Sequence, residues 1–186
     1  MTIGVPGERE LPSVEHTHAL GAELAGLLRA GDVVVLDGPL GAGKTALASG
    51  IAAGLGVRGR VTSPTFVIAR RHAPGTADGP GLVHVDAYRL LGGEDPHGGR
   101  PGRADLADQL ESLDLDSALD RDVVVVEWGA GFVDSLVADP LVVTLSRGED
   151  TDERSAAWHP AGGAPGPAVP RPECWSSPYT PPPPPS

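Results

Sequence analysis

The chain has 186 residues, 40% of them hydrophobic, which is long enough for one domain with a buried core but short for two. Its 25 acidic residues outnumber the 14 basic ones, giving a net charge of −11. This charge argues against a surface that wraps nucleic acid directly, because phosphate binding relies on clusters of Lys and Arg. One cysteine, Cys174, excludes an internal disulfide framework and a multi-cysteine metal site.

Residues 1–10 mix charges with Gly and Pro and lack the apolar centre of a signal peptide. No apolar run approaches the roughly 18 residues that a membrane-spanning helix needs. We therefore expect a soluble, cytoplasmic protein that does not contact a membrane.

Helical and strand patterns alternate along the body of the chain. Apolar residues at helical spacing occur in residues 17–30, 45–55, 105–119 and 132–138. Short apolar runs typical of strands occur in residues 33–36, 66–69, 82–85, 123–126 and 141–145. The alternation predicts an α/β fold with a mostly parallel sheet and helices on both faces.

Proline dominates the end of the chain. Residues 160–186 hold 11 of the 20 prolines, and the last five of these are consecutive. Proline cannot donate to a sheet or continue a helix, so we expect an extended, mobile segment. We assign residues 1–155 to the folded domain and 156–186 to a disordered Pro-rich tail, with a ligand for an aromatic groove as the alternative. Another segment with several Gly and Pro residues, 92–103, is interpreted as a long surface loop.

The sequence GPLGAGKT at residues 38–45 fits the phosphate-loop pattern G-x-x-x-x-G-K-[ST] at every fixed position. Glycines let the backbone turn its N–H groups toward phosphate oxygens, and the following helix presents its positive end. The lysine can reach the β- and γ-phosphates, and the threonine hydroxyl can bind Mg²⁺. The pattern predicts a P-loop NTPase, a three-layer sandwich, with these nucleotide-binding residues: Gly38, Leu40, Gly41, Ala42, Gly43, Lys44 and Thr45.

Carboxylates end two of the predicted strands. Glu127 follows four valines, where it can hold the metal directly or through water, or polarise the attacking water. Asp86 can serve as a base or metal-shell carboxylate. The alternatives are a surface carboxylate for Glu127 and a turn cap for Asp86. His84 alone is interpreted as a half-buried structural histidine. Residues 63–66 (SPTF) are a candidate γ-phosphate-sensing segment or a rigid turn.

The type of nucleotide enzyme is narrowed by residues that the chain lacks. The guanine-specific N-K-x-D signature cannot occur in a chain without asparagine, so a small GTPase is disfavoured. A small-molecule kinase usually needs basic lid residues, and Lys44 is the only lysine. Arginines can substitute for lysines, so a P-loop kinase remains the alternative to an ATPase. A third hypothesis is a nucleotide-gated adaptor that works through the Pro-rich tail.

Four motifs in series, GPLGAGKT, SPTF, HVDAYRL and VVEWG, closely resemble the bacterial TsaE (YjeE-type) ATPases over roughly residues 10–150. The resemblance implies a compact P-loop domain that hydrolyses ATP weakly alone. It also implies a role in tRNA threonylcarbamoyladenosine biosynthesis with the partners TsaB and TsaD, which would contact the tRNA in its place. ATP and Mg²⁺ are the implied cofactors.

By motif, the resemblance implies that Lys44 binds phosphates, Thr45 and Glu127 hold Mg²⁺, and Asp86 is the activating carboxylate. Residues 63–66 would be the switch-like loop, and Trp128 would neighbour the site. The chain departs from the family in having Pro39 where Asp is usual and a longer, more basic loop at residues 92–103. Beyond Arg154, proline-rich sequence replaces the family's usual closing strand.

Overall fold

The computed structural model describes residues 6–59, 61, 69–87, 115–128, 133, 139–148 and 153–160. Within these ranges seven strands form one sheet, and three helices accompany it. In chain order the elements are β1 (Gly7–Glu10), α1 (Val14–Ala25), β2 (Val33–Asp37), α2 (Lys44–Leu55), β3 (Ala69–His72), β4 (Gly81–Asp86), α3 (Leu115–Leu119), β5 (Asp122–Glu127), β6 (Leu141–Arg147) and β7 (Arg154–Pro160).

The strand order across the sheet is β1-β7-β6-β2-β5-β4-β3. The four central strands β6, β2, β5 and β4 run parallel, whereas β3, β7 and β1 pair antiparallel with their neighbours. The α/β prediction is confirmed, but a mostly parallel sheet is wrong at both edges. The segments between β3 and β4 and between β6 and β7 are shorter than the dozen or more residues that a parallel crossover needs.

Strands β2 and β5 are buried on both faces, which explains their nearly continuous valine runs. In β2, Val34 and Leu36 belong to one core cluster and Val33 and Val35 to the other. The first cluster includes the apolar faces of α1 and α2, and the second includes Ala118 of α3. Parallel pairing brings the carboxyl ends of β2, β4 and β5 to the same edge of the sheet.

The folded domain extends further along the chain than the sequence predicted. The predicted boundary after residue 155 is too early, because residues 156–160 belong to β7, which pairs with both β6 and β1. The chain therefore does have a closing strand. Its sequence carries few β-branched residues, so the strand depends on its neighbours, including contact of the Trp158 ring with Gly7. Residues 161–186 lie outside the described part.

The other predicted elements agree with the structure to within a few residues or lie partly outside it. The helix predicted at residues 17–30 is α1, which begins and ends earlier, at Val14 and Ala25. The strand expected at residues 66–69 is described only at Ala69, where β3 begins. The loop at 92–103 lies outside the described residues, as do residues 105–114 and all of 132–138 except Val133.

Both longer helices have 12 residues. Within the ranges given above, no helix combines the length and apolarity required to cross a bilayer.

The two longer helices, α1 and α2, pack so closely that the backbone of one contacts the backbone of the other. A Cβ added at Gly50 of α2 would collide with the carbonyl oxygen of His18 in α1 and lie 2.9 Å from the His18 Cα. Since α2 begins at Lys44, this close contact also sets where the first turn of the phosphate loop's helix lies. The absence of a side chain at Gly50 is therefore a condition of the packing.

We expect Gly50→Ala to lower the free energy of unfolding by about 1–3 kcal/mol, because the helices must separate to admit the methyl group. This loss should occur although alanine favours an isolated helix by about 1 kcal/mol over glycine. Urea denaturation measures it. The matched control is Gly26→Ala after α1, where φ is −63° and the nearest neighbour, Glu23 O, lies 3.3 Å away. We expect the control to stay within about 0.5 kcal/mol of wild type. A Gly50→Ala variant as stable as the control would contradict the packing argument.

Candidate nucleotide-binding site

Residues 38–43 lie between β2 and α2, and residues 44–45 begin α2, at the carboxyl edge of the parallel strands. Gly38, Gly41 and Gly43 have φ values of 135°, 79° and 107°, in the region that favours glycine. A Cβ at Gly38 would also collide with the carbonyl oxygen of Leu145 in β6. The loop thus depends on glycine both for its turns and for its closeness to the sheet.

The other predicted loop residues differ in exposure. The Leu40 side chain is 86% exposed, whereas Ala42 is fully buried and its N–H donates to the Pro39 carbonyl at 3.2 Å. A role in nucleotide binding would therefore fall to the backbone at these two positions. Asp37, the last residue of β2, accepts a 2.9 Å hydrogen bond from the Gly38 N–H and fixes the start of the loop.

Lys44 is 5% exposed, and its ammonium bends back onto the loop. Its Nζ donates to the carbonyl oxygens of Gly38 and Pro39, both at 2.8 Å, and lies 3.5 Å from the centroid of the Trp128 ring. Burial lowers the pKa of Lys44 to about 8, although the negative charges of Glu127, Asp37 and Asp86 oppose the shift. The site therefore holds a cation whose charge its surroundings compensate only in part.

Glu127 and Thr45 meet where β5 ends and α2 begins. The Thr45 hydroxyl donates to Glu127 Oε1 at 3.0 Å and lies 3.2 Å from Oε2, and the carboxylate residue is 3% exposed. A hydroxyl and a carboxylate are oxygen ligands of the kind that Mg²⁺ prefers, usually with phosphates and water completing its shell. Within the described ranges, no group of three or more His, Cys, Asp or Glu side chains could hold a metal ion by itself.

Asp86 ends β4 beside Glu127, since the two residues pair in the parallel register of β4 and β5. It is half-buried, and its charge acts on the Lys44 ammonium. The structure therefore brings together both carboxylates that the sequence singled out, on the edge of the sheet next to the phosphate loop.

His84 was not singled out as a site residue by the sequence, but it contacts one. It is fully buried rather than half-buried, and its Nε2 lies 2.8 Å from Glu127 Oε1. Alternation along β4 places His84 on the same sheet face as Asp86, and this periodicity was the signal available in the sequence. That its partner would be Glu127 depends on which strand lies beside β4.

Trp128 follows Glu127 with a φ of 63°, a conformation that costs a non-glycine residue about 1–2 kcal/mol. Two backbone hydrogen bonds brace this turn: the Trp128 N–H donates to Leu36 O at 3.0 Å, and the Ala87 N–H donates to Glu127 O at 2.9 Å. The turn directs the indole over the ammonium of Lys44. The remaining predicted site segment, residues 63–66, lies outside the described part.

We expect Gly38→Ala to destabilise the protein and to weaken nucleotide binding much more than Gly41→Ala does. Both positions have positive φ, but only the Gly38 methyl group would collide with backbone, whereas at Gly41 the nearest atom is the Arg147 Nη1 at 3.4 Å. We expect about 1–2 kcal/mol of strain at Gly41 and a larger loss at Gly38. Denaturation and titration with a fluorescent ATP analogue measure both effects. Equal effects of the two variants would contradict the close approach of the loop to β6.

Comparison with known proteins identifies the relatives of this chain. A family sequence model described as "Threonylcarbamoyl adenosine biosynthesis protein TsaE" matches residues 11–156. A Mycobacterium tuberculosis protein named tRNA threonylcarbamoyladenosine biosynthesis protein TsaE is 52% identical over 152 residues, which are 82% of this chain and 86% of the relative. A Streptomyces coelicolor protein of the same name is 55% identical over 136 residues, 72% of this chain and 82% of the relative.

Among solved structures, the crystal structure of Bacillus subtilis YdiB is similar, with a TM-score of 0.60 and 28% sequence identity. The match covers 86% of this chain and 87% of that one. These matches show that the chain belongs to the TsaE family, in agreement with its P-loop and its two carboxylates at the strand ends.

Proposed function

We propose that this protein is a Mg²⁺-dependent ATPase that serves tRNA threonylcarbamoyladenosine biosynthesis. The observation that carries the proposal is the meeting of a phosphate-loop threonine with a buried strand-end carboxylate, Thr45 with Glu127, beside the Lys44 ammonium. Membership in the TsaE family supports this ATPase over the small-molecule kinase alternative. The three-layer P-loop NTPase sandwich belongs to the same proposal, and the cytoplasmic location stays a prediction.

Lys44 is the group that binds the β- and γ-phosphates. In the structure its ammonium contacts two carbonyl oxygens and an aromatic ring, which carry only partial negative charge. Phosphate oxygens carry full charges, so an incoming triphosphate is a better partner for a buried cation. Nucleotide binding therefore draws Nζ away from Gly38 and Pro39, and backbone N–H groups between Leu40 and Thr45 bind the same phosphates.

Thr45 and Glu127 are the residues that would hold Mg²⁺. When bound, Mg²⁺ would supply positive charge that stabilises the negative charge on the departing terminal phosphoryl group. The Asp86 carboxylate, next to Glu127 at the sheet edge, orients the attacking water and accepts its proton. The Trp128 ring covers the lysine side of the site and limits the access of bulk water.

The tRNA-linked role requires partners, because the chain's net charge of −11 does not favour direct binding to RNA. We place the protein with TsaB and TsaD, in an assembly that transfers the threonylcarbamoyl group to the adenosine next to the anticodon. Hydrolysis at the Lys44 site would reset that assembly after each transfer.

Three substitutions separate binding from hydrolysis. We expect Lys44→Ala to lose most affinity for ATP. Asp86→Asn, and Glu127→Gln at saturating Mg²⁺, should keep binding while hydrolysis falls about 10²- to 10⁴-fold. Calorimetry measures binding, and phosphate release measures turnover. Asp78→Asn, at an exposed position in the turn before β4, is the matched control and should equal wild type. Hydrolysis at the wild-type rate in Glu127→Gln would contradict its role.

Reconstitution tests the pathway assignment. We expect the slow ATP hydrolysis of the isolated protein to rise when TsaB and TsaD are added, and modified tRNA to accumulate over several turnovers only when this protein and ATP are present. Phosphoryl transfer to a small-molecule acceptor in place of hydrolysis would support the kinase. Multiple turnovers of tRNA modification without this protein would contradict the pathway proposal.

A further inference from the structure

Two side chains from different elements converge on one oxygen of the Glu127 carboxylate. Glu127 Oε1 lies 2.8 Å from His84 Nε2 and accepts a 3.0 Å hydrogen bond from the Thr45 hydroxyl. His84 is 0% exposed and Glu127 3% exposed, so water cannot replace either contact freely. The histidine thus contacts the carboxylate from within the sheet, while Thr45 contacts it from the nucleotide side.

The hydrogen-bond partners define the form of the histidine ring. A carboxylate oxygen can only accept, so His84 Nε2 carries the hydrogen that bonds to Oε1. His84 Nδ1 is buried and has no hydrogen-bond partner within the described part of the chain. A hydrogen on Nδ1 would be a buried donor without an acceptor, at a cost of about 1–3 kcal/mol. Among the described contacts, the Nε2–H tautomer is the one that leaves no buried donor without an acceptor.

We infer that His84 is a positioning residue for Glu127, an inference that rests on the proposed Mg²⁺–ATP site. In the structure, the carboxylate is held from two sides by the His84 ring and the Thr45 hydroxyl. When the Thr45 oxygen turns to a ligand, the His84 N–H still holds Oε1 and leaves Oε2 free to face the site. Without that N–H, the carboxylate can rotate away from the orientation that the ligand requires.

A second histidine on the neighbouring strand offers a matched control. His72 is 6% exposed, and the register of β3 and β4 places it on the same face as His84. Burial lowers its pKa, and its Nε2 likewise has no partner among the described residues. Glu127 is hydrogen-bonded to His84 and Thr45 but not to His72 in that part of the chain. Replacing His72 therefore reproduces the loss of a buried imidazole without touching the carboxylate.

The main test measures how ATP binding and hydrolysis depend on Mg²⁺ concentration in three full-length variants. We expect His84→Leu to raise the Mg²⁺ concentration for half-maximal ATP binding about 10- to 100-fold, as loss of a ligand-orienting hydrogen bond typically does. His84→Gln carries an N–H the same number of bonds from Cβ, and we expect it to restore the wild-type Mg²⁺ dependence even if its thermal stability is reduced. His72→Leu should retain that dependence.

An independent readout requires neither metal nor nucleotide. In the long-range ¹H–¹⁵N spectrum of the metal-free wild-type protein, we expect the His84 Nε2 signal to be that of a protonated nitrogen and Nδ1 that of an unprotonated one. This measurement tests the contact even if His84→Leu does not fold. A hydrogen on Nδ1 instead of Nε2 would overturn the inference.

The outcomes distinguish this inference from the proposed function. If the wild-type protein binds no ATP in the presence of Mg²⁺, the proposed function fails, and the role of His84 fails with it. If wild type binds and either His84→Leu shows the same Mg²⁺ dependence or His72→Leu shifts it equally, only the positioning role is overturned. Failure of a folded His84→Gln to restore the dependence would also count against it.

Discussion

The structure depends above all on a buried cation, the ammonium of Lys44. Burial lowers its pKa to about 8. Its charge is stabilised by two loop carbonyls, an aromatic ring and three nearby carboxylates. Each of these groups comes from the end of a strand or from the loop itself. Bringing these groups around the ammonium requires positive φ angles at Gly38 and Trp128.

The parallel centre of the sheet makes this convergence possible. Because β2, β4 and β5 run in one direction, Asp37, Asp86 and Glu127 end their strands at the same edge as the phosphate loop. The antiparallel edges serve a different purpose, since β7 covers β6 and is itself covered by β1. The carboxylate of Glu127 then links the two halves of the site, through Thr45 to the loop and through His84 to the sheet.

The parts of the fold that the sequence predicted are those encoded locally. The valine runs of β2 and β5 and the GPLGAGKT pattern need no knowledge of distant residues, and the two strand-end carboxylates follow from them. Strand β7 was missed because its sequence is poor in β-branched residues and its stability comes from β6 and β1. The partner of His84 could not be predicted either, because the pairing of β4 with β5 is a long-range contact, whereas alternation along β4 showed only which face the ring occupies.

The most direct test of the buried-cation account is proton uptake on ATP binding, measured by calorimetry in buffers of different ionisation enthalpy. With a pKa of about 8, Lys44 is partly neutral near that pH and mostly neutral above it, and phosphate oxygens favour its charged form, so binding must take up protons. With Mg²⁺ in excess, so that the phosphates stay ionised, we expect proton uptake at both pH 7.5 and pH 9.0, and clearly more of it at pH 9.0. Binding with no uptake at either pH would contradict the buried-cation account.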